Sequence, residues 1–248
     1  MSDPIPGGIT PDEDTPLTPP GVSEGPRIPG TPESLRDPHG GNPPHSFDVV
    51  DSEVLYDGAI FALRGEKVRM PGGRVATREK VEHYGAVAVA ALDDEDRLVM
   101  IYQYRPAIGR RIWEMPAGLL DGGSDEAPVE AAKRELVEEV GVEADDWSTL
   151  VDVVGCPGFA DESVRVFLAR GLREVERPEG GDDEEADLVI RRVPLADLVT
   201  GAMSGDLVNG PCIAGVFAAA EVVAGRFAPR PVDAPWVDRP TQYVSRRG

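Results

Sequence analysis

The densest chemistry in this sequence is a run of carboxylates. Glu135, Glu138 and Glu139 follow Arg134, with Glu126 upstream, in the stretch EAPVEAAKRELVEEVG that spans 126–141. The spacing predicts a helix: Pro128 suits an early helical position, Gly141 suits the stop, and Ser124 or Asp125 can cap the start. At about 100° per residue, with Glu135 set to zero, Glu139 lies near 40° and Glu138 near −60°, whereas Ala132, Leu136, Val129 and Val140 fall between about 60° and 140°. Three carboxylates therefore crowd one face beside a buried stripe, where like charges repel and raise one another's pKa. Arg134 relieves part of that repulsion and a divalent cation would relieve more. Carboxylates suit Mg²⁺ or Mn²⁺, which keep waters and bind substrate phosphates. The plainer reading, a solvated acidic helix face, stands beside the metal reading on these residues alone.

Such a helix needs elements to hold it. Val49–Tyr56, Ala59–Met70 and Arg74–His83 read as strands, with turn chemistry at Pro71-Gly72-Gly73. Gly85–Leu92, GAVAVAAL, is an unbroken run of small apolar residues, as in a strand buried on both faces. Further strands are expected at Leu98–Tyr104 and Arg111–Met115, then near Leu150–Val154, Ser163–Ala169 and Asp187–Val193. Pro194–Met203 and Cys212–Gly225 read as helices. Strands dominate early and helices are interspersed later, so the class is α/β or α+β in layers.

Composition bounds the rest. The 248 residues carry 45 acidic and 25 basic side chains, a formal charge of −20, which excludes a nucleic-acid backbone or an anionic membrane as a natural partner. No run is apolar and long enough to span a bilayer, and MSDPIPGGIT has neither the basic region nor the apolar core of a signal peptide. Cys156 and Cys212 do not make a disulfide framework, so a cytoplasmic location is expected. Residues 1–46 hold 12 of the 24 prolines and seven acids against two arginines. This segment is expected to be a disordered tail, either simply solvated or a docking arm.

Arg134-Glu135-Leu136-Val137-Glu138-Glu139-Val140-Gly141-Val142, with Glu126 upstream, matches the pattern R-E-U-x-E-E-x-G-U, where U is a bulky apolar residue. On these residues the chain resembles the Nudix hydrolase family. One position departs: Leu120 stands where the pattern has Gly, and Gly118 is the equivalent, which makes the loop Leu119–Asp125 two residues longer. The resemblance runs from about residue 48 to the C-terminus. Gln103-Tyr104-Arg105-Pro106, Trp113-Glu114-Met115-Pro116-Ala117-Gly118 and the loop Pro157-Gly158-Phe159-Ala160-Asp161-Glu162 look like the ADP-ribose pyrophosphatase branch. The ending Trp236-Val237-Asp238-Arg239-Pro240-Thr241 is similar to its actinobacterial members.

That resemblance implies an α/β/α sandwich with an N-terminal antiparallel β-sheet subdomain. The expected division is a tail at 1–46, a strand-exchanging subdomain at 47–84, the hydrolase domain at 85–230 and an extension at 231–248. The implied reaction is metal-dependent hydrolysis of ADP-ribose to AMP and ribose 5-phosphate, with Mg²⁺ or Mn²⁺ as cofactor. The Ala117 carbonyl, Glu135 and Glu139 would bind metal, and Glu138 would join the cluster or its water shell. Arg134 would hold these carboxylates from behind. Arg105 would contact the diphosphate, Arg78 would also meet the substrate, and Glu162 would face the ribose. Surface ion pairs for the two arginines and a loop cap for Glu162 are the competing readings. In this branch the general base sits on a mobile loop, here Pro178–Asp187, which makes Glu184 or Glu185 the candidate. The branch also implies a homodimer with exchanged N-terminal strands. Two further readings stay open: a Nudix hydrolase of a sugar nucleotide or dinucleotide polyphosphate, and a non-catalytic nucleotide sensor. Neither cysteine has a histidine partner in the pattern, and His39, His45 and His83 read as structural or incidental.

Overall fold

A computed structural model of the protein describes residues 32–35, 47–123, 126–178 and 187–247. Ten strands and four α-helices are named among them: β1 (Asp48–Asp57), β2 (Phe61–Arg69), β3 (Val75–His83), β4 (Ala86–Ala91), β5 (Arg97–Arg105), β6 (Arg110–Glu114), β7 (Ala117–Leu119), α1 (Pro128–Val140), β8 (Val142–Val154), β9 (Ser163–Glu174), β10 (Val189–Pro194), α2 (Leu195–Ser204), α3 (Gly210–Val223) and α4 (Gln242–Ser245). The chain forms two compact units, one of residues 1–53 and 65–79, the other of residues 54–64 and 80–248. The three-stranded sheet β1-β2-β3 contributes residues to each. In the first unit the Pro71-Gly72-Gly73 turn closes as its residues dictate, with Gly73 at φ 83 and its N–H donated to the Met70 carbonyl at 2.8 Å.

The second unit is built on a four-stranded sheet in the order β7-β4-β9-β8 and a three-stranded sheet in the order β10-β5-β6. At the centre β4 runs parallel to β9, Ala86 opposite Val164 through Ala91 opposite Ala169. Strict alternation then sorts the GAVAVAAL residues. Val87, Val89 and Ala91 pack with Ala131, Ala132, Leu136 and Val140 of α1. Ala88 and Ala90 pack on the other side with Leu195 and Leu198 of α2 and Cys212, Val216 and Ala219 of α3. Helices on both faces of a mixed sheet make an α/β/α sandwich within an α+β fold, and β4 is buried on both faces for that reason.

Several boundaries differ from the sequence expectation. The strand expected near Leu150 begins at Val142, directly after the left-handed Gly141 (φ 65) that ends α1. Glu143 and Asp145 mask its alternation, and both are paired across the sheet with Arg173 of β9. α1 is preceded by Ala127, extended at ψ 138 as a residue before proline must be, and makes no side-chain cap there. The proposed caps Ser124 and Asp125 lie outside the described residues, as do His39, His45 and nearly all of the 1–46 tail. The short strand β7 was not anticipated. It pairs antiparallel with β4, Ala117 opposite Ala88, and this pairing carries the chain to the acidic helix.

Candidate active site

The acidic face of α1 meets β7. Glu139 is 8% exposed, and its Oε2 accepts a hydrogen bond from the Ala117 N–H at 2.8 Å. Burial drives its carboxyl pKa up to about 8; the Ala117 N–H and Arg105 pull it down, and Glu135 and Glu114 add to the push. Glu135 lies one helical turn earlier, and burial raises its pKa as well, against the pull of Arg134. Its carboxylate lies against Gly118: a Cβ there would fall 2.0 Å from the Glu135 Cδ. Glycine at 118 is thus a space requirement of the carboxylate.

Arg134 gathers the remaining acids. Its Nη1 donates to Glu135 Oε1 at 2.7 Å and to Glu138 Oε2 at 3.0 Å, and Glu126 and Asp121 stand 3.6 Å from the guanidinium. Arg177 holds the same turn from below, its Nε donating to the Glu138 carbonyl at 2.9 Å. Glu126 Oε2 is buried and, among the described residues, has no hydrogen-bond partner. A Cβ on Gly122 would lie 2.2 Å from that oxygen. No three Asp, Glu, His or Cys groups among the described residues form a ready-made metal cage. Arg134 bridges the carboxylates instead. The donor set still fits a hard divalent ion. It is all oxygen, it includes an orphaned buried carboxylate oxygen and two glutamates whose pKa burial raises, and two glycines clear the space around it.

The other expected residues divide. Arg105 ends β5 beside this cluster, with Nε and Nη2 donating to the buried Glu114 at 3.0 and 2.6 Å. Gln103 donates to the same carboxylate at 3.1 Å. Glu114 was not singled out from the sequence, although a charge at an inward strand position signals a buried acid that demands partners. Glu162 is half-buried beside His83 and Asp161. Asp161 accepts the His83 backbone N–H at 2.8 Å, and the His83 ring accepts the Gly85 N–H at its Nδ1 at 3.1 Å. Burial holds the His83 pKa below its usual value despite Glu162 and Asp161. Arg78 lies in the first unit, exposed, donating to the Thr77 carbonyl at 3.0 Å. Glu184 and Glu185 lie outside the described residues. Neither cysteine is an activated nucleophile on this geometry. Cys212 is buried with its thiol pushed up to about 12 by that burial, and Cys156 sits on the exposed loop after β8.

Comparison with known proteins bears on this geometry. The family model described as "NUDIX domain" matches residues 81–210. The ADP-ribose pyrophosphatase of Mycobacterium tuberculosis (strain ATCC 25618 / H37Rv) is 53% identical over 203 residues, covering 82% of this chain and 97% of that protein. The ADP-ribose pyrophosphatase of Bacillus subtilis (strain 168) is 40% identical over 137 residues, covering 55% of this chain and 73% of that protein. Among solved structures, the crystal structure of an ADP compounds hydrolase superposes with a TM-score of 0.63 at 24% identity, over 74% of this chain and 98% of that one. That last likeness speaks for the fold alone.

Proposed function

Because the chain belongs to the NUDIX family, we propose that it is a hydrolase that cleaves the diphosphate of ADP-ribose, with water, to AMP and ribose 5-phosphate. The observation that carries this reading is the buried Glu139, fixed by the Ala117 N–H next to Glu135 and the Arg134-bound Glu138. The choice of ADP-ribose is supported by two relatives of that activity, one of them 53% identical.

Ala117, Glu135, Glu138 and Glu139 would hold a divalent cation, with Glu126 alongside; members of the family generally need one, and Mg²⁺ or Mn²⁺ suits these oxygens. When bound, the cation neutralises diphosphate charge and lowers the pKa of the attacking water. The chain's own side chains do the rest. Arg134 keeps Glu135 and Glu138 oriented. Arg105 brings positive charge to an acidic site and is pre-aligned by its two bonds to Glu114, as a diphosphate ligand should be. Glu162 faces the ribose, and Arg78 is proposed as a further substrate contact. Glu184 or Glu185 takes the proton of the water. Positioning and electrostatics suffice for such chemistry, so no covalent nucleophile is needed.

The proposed division keeps residues 1–46 as a tail, 47–84 as a strand-exchanging subdomain, 85–230 as the hydrolase domain and 231–248 as an extension. A homodimer is proposed from the run of exposed apolar residues Val54, Leu55, Tyr56, Ile60 and Phe61. No helix among the described residues is long and apolar enough to cross a membrane. The two free cysteines support a cytoplasmic setting. Glu139→Gln tests the reading directly. It removes a charge but keeps the shape, and Mg²⁺-dependent ADP-ribose cleavage should fall by about a hundredfold or more with an unchanged circular dichroism spectrum. Near-normal turnover would rule out the metal role.

A further inference from the structure

The chain does not end with α3. After Gly225 it runs back over the sheet as a strap. Thr149 and Arg230 exchange backbone hydrogen bonds at 3.0 and 2.9 Å, at the point where the β8–β9 register shifts. The buried Arg165 of β9 then grips the strap. It pairs with Asp152 at 2.7 Å, donates to the carbonyls of Ala234 and Pro235 at 2.7 and 3.1 Å, and stacks on the Trp236 ring at 4.8 Å. Farther on, Pro240 seats on Gly85, where a Cβ would fall 3.0 Å from its Cδ. The fully buried Tyr243 packs edge-on against Tyr84 and donates its hydroxyl to the Gly58 carbonyl. Arg246 closes the run by pairing with Glu82, a 0% exposed carboxylate that also receives Arg64 at 2.6 Å and Lys80 at 3.6 Å.

The place where the strap ends is where two loops of the site are pinned. Val81 exchanges backbone hydrogen bonds with the loop after β8, its N–H to the Phe159 carbonyl at 2.7 Å and the Asp161 N–H to its own carbonyl at 3.1 Å. His83 adds its N–H to Asp161, the neighbour of Glu162. Gly85 accepts the Leu120 N–H at 3.1 Å, and so anchors the loop that carries Asp121 and leads to Glu126. Residues 81–85 therefore hold both loops, and the strap holds residues 82–85.

We infer that the C-terminal strap is a positioning element of the site, with Arg246 acting through Glu82 to fix the 156–162 loop and hence Glu162 against the substrate. This rests on the ADP-ribose reading of the site. A buried carboxylate shared by three cations has a narrow choice of geometries, and removing one cation lets it turn toward the other two. Strand residues on either side of it move with it, and the loop they pin loses its register before any core residue is disturbed.

Steady-state hydrolysis of ADP-ribose by the full chain tests this. Arg246→Ala should raise KM about tenfold with kcat changed less than about twofold, and Arg246→Lys should recover most of the loss. The double variant Glu82→Gln with Arg246→Ala should be no worse than its worse single parent, since the two act as one unit. Amide exchange of 156–162 should quicken in Arg246→Ala while α1 stays as protected as before. Should that variant fold poorly, Tyr243→Phe deletes only the hydroxyl on the Gly58 carbonyl, and KM should rise about twofold. An unchanged KM beside a lowered melting temperature would overturn the inference and leave the strap as a stabiliser alone. A fall in kcat at constant KM would overturn it too. If the unaltered protein leaves ADP-ribose intact, the substrate reading fails by itself, and the exchange of 156–162 in Arg246→Ala then decides: faster exchange upholds the strap's role, unchanged exchange overturns it.

Discussion

Glu135 and Glu139 sit one helical turn apart, and the fold treats them differently. Glu139 is held by a backbone N–H and Glu135 by a guanidinium and the absence of a side chain at 118. This makes Gly118→Ala informative. The new methyl would meet the Glu135 carboxylate at 2.0 Å, and the far end of a flexible side chain yields more readily than backbone. The fold should persist, with the melting temperature lowered by no more than about 5 °C, while Mg²⁺-dependent activity drops by about a hundredfold as Glu135 leaves its place. Calorimetry and initial rates on one preparation check both halves. The acidic helix face was legible in the sequence because helical spacing and family pattern coincide at Arg134–Val142. The roles of Glu114 and Gly118 were not, since each depends on a partner 9 or 17 residues away that only the folded chain brings near. Arg105 was readable as a cation and as a member of an ion pair, but not as the partner of the buried Glu114.

At the scale of elements, β4 and α1 were plain because a continuous apolar run and a one-sided stripe each admit one placement. β7 is three residues long and carries no period, and the length of β8 was hidden by charges that its cross-strand arginine satisfies. The strap was beyond reach: Arg165, Asp152 and Glu82 look like ordinary surface charges until burial is known. Arg165→Met should cost about 3 kcal/mol in urea unfolding, because the Ala234 and Pro235 carbonyls lose their donor and Asp152 keeps only Arg230 among its named partners. Glu82 adds a pH signature. Burial alone would raise its pKa, but hydrogen bonds and charge from Arg64 and Arg246 hold it below the ordinary 4.5. Lys80 faces it from the same strand, and Asp161 stands close enough for its own pKa to be raised in part by Glu82. A depressed folded value means stability that is present above about pH 4.5 and is lost as pH falls through the lowered value. The melting temperature of the unaltered protein should therefore drop more steeply on acidification below that point than that of Glu82→Gln. Parallel curves would exclude Glu82 as a contributor.

For the molecule as a whole, the charge of −20 sets the problem and the site answers it locally. An anionic diphosphate must approach an acidic protein, and in the function proposed above Arg105, Arg134 and a divalent cation would supply the opposite sign where it is needed. The exposed apolar run from Val54 to Phe61 predicts a sedimentation mass of twice 26.5 kDa, and a 26.5 kDa species at micromolar concentration would contradict the dimer. The ADP-ribose reading was legible through the motifs at Gln103–Pro106, Trp113–Gly118 and Pro157–Glu162; how those segments meet was not, because only the folded chain brings separate strands and loops together. The central claim is tested most directly by the products. Incubated with ADP-ribose and Mg²⁺, the protein should yield AMP and ribose 5-phosphate in equal amounts, should stop when the metal is chelated, and should prefer ADP-ribose over a sugar nucleotide or a dinucleotide polyphosphate. Release of inorganic phosphate in place of AMP, or cleavage indifferent to chelation, would contradict it.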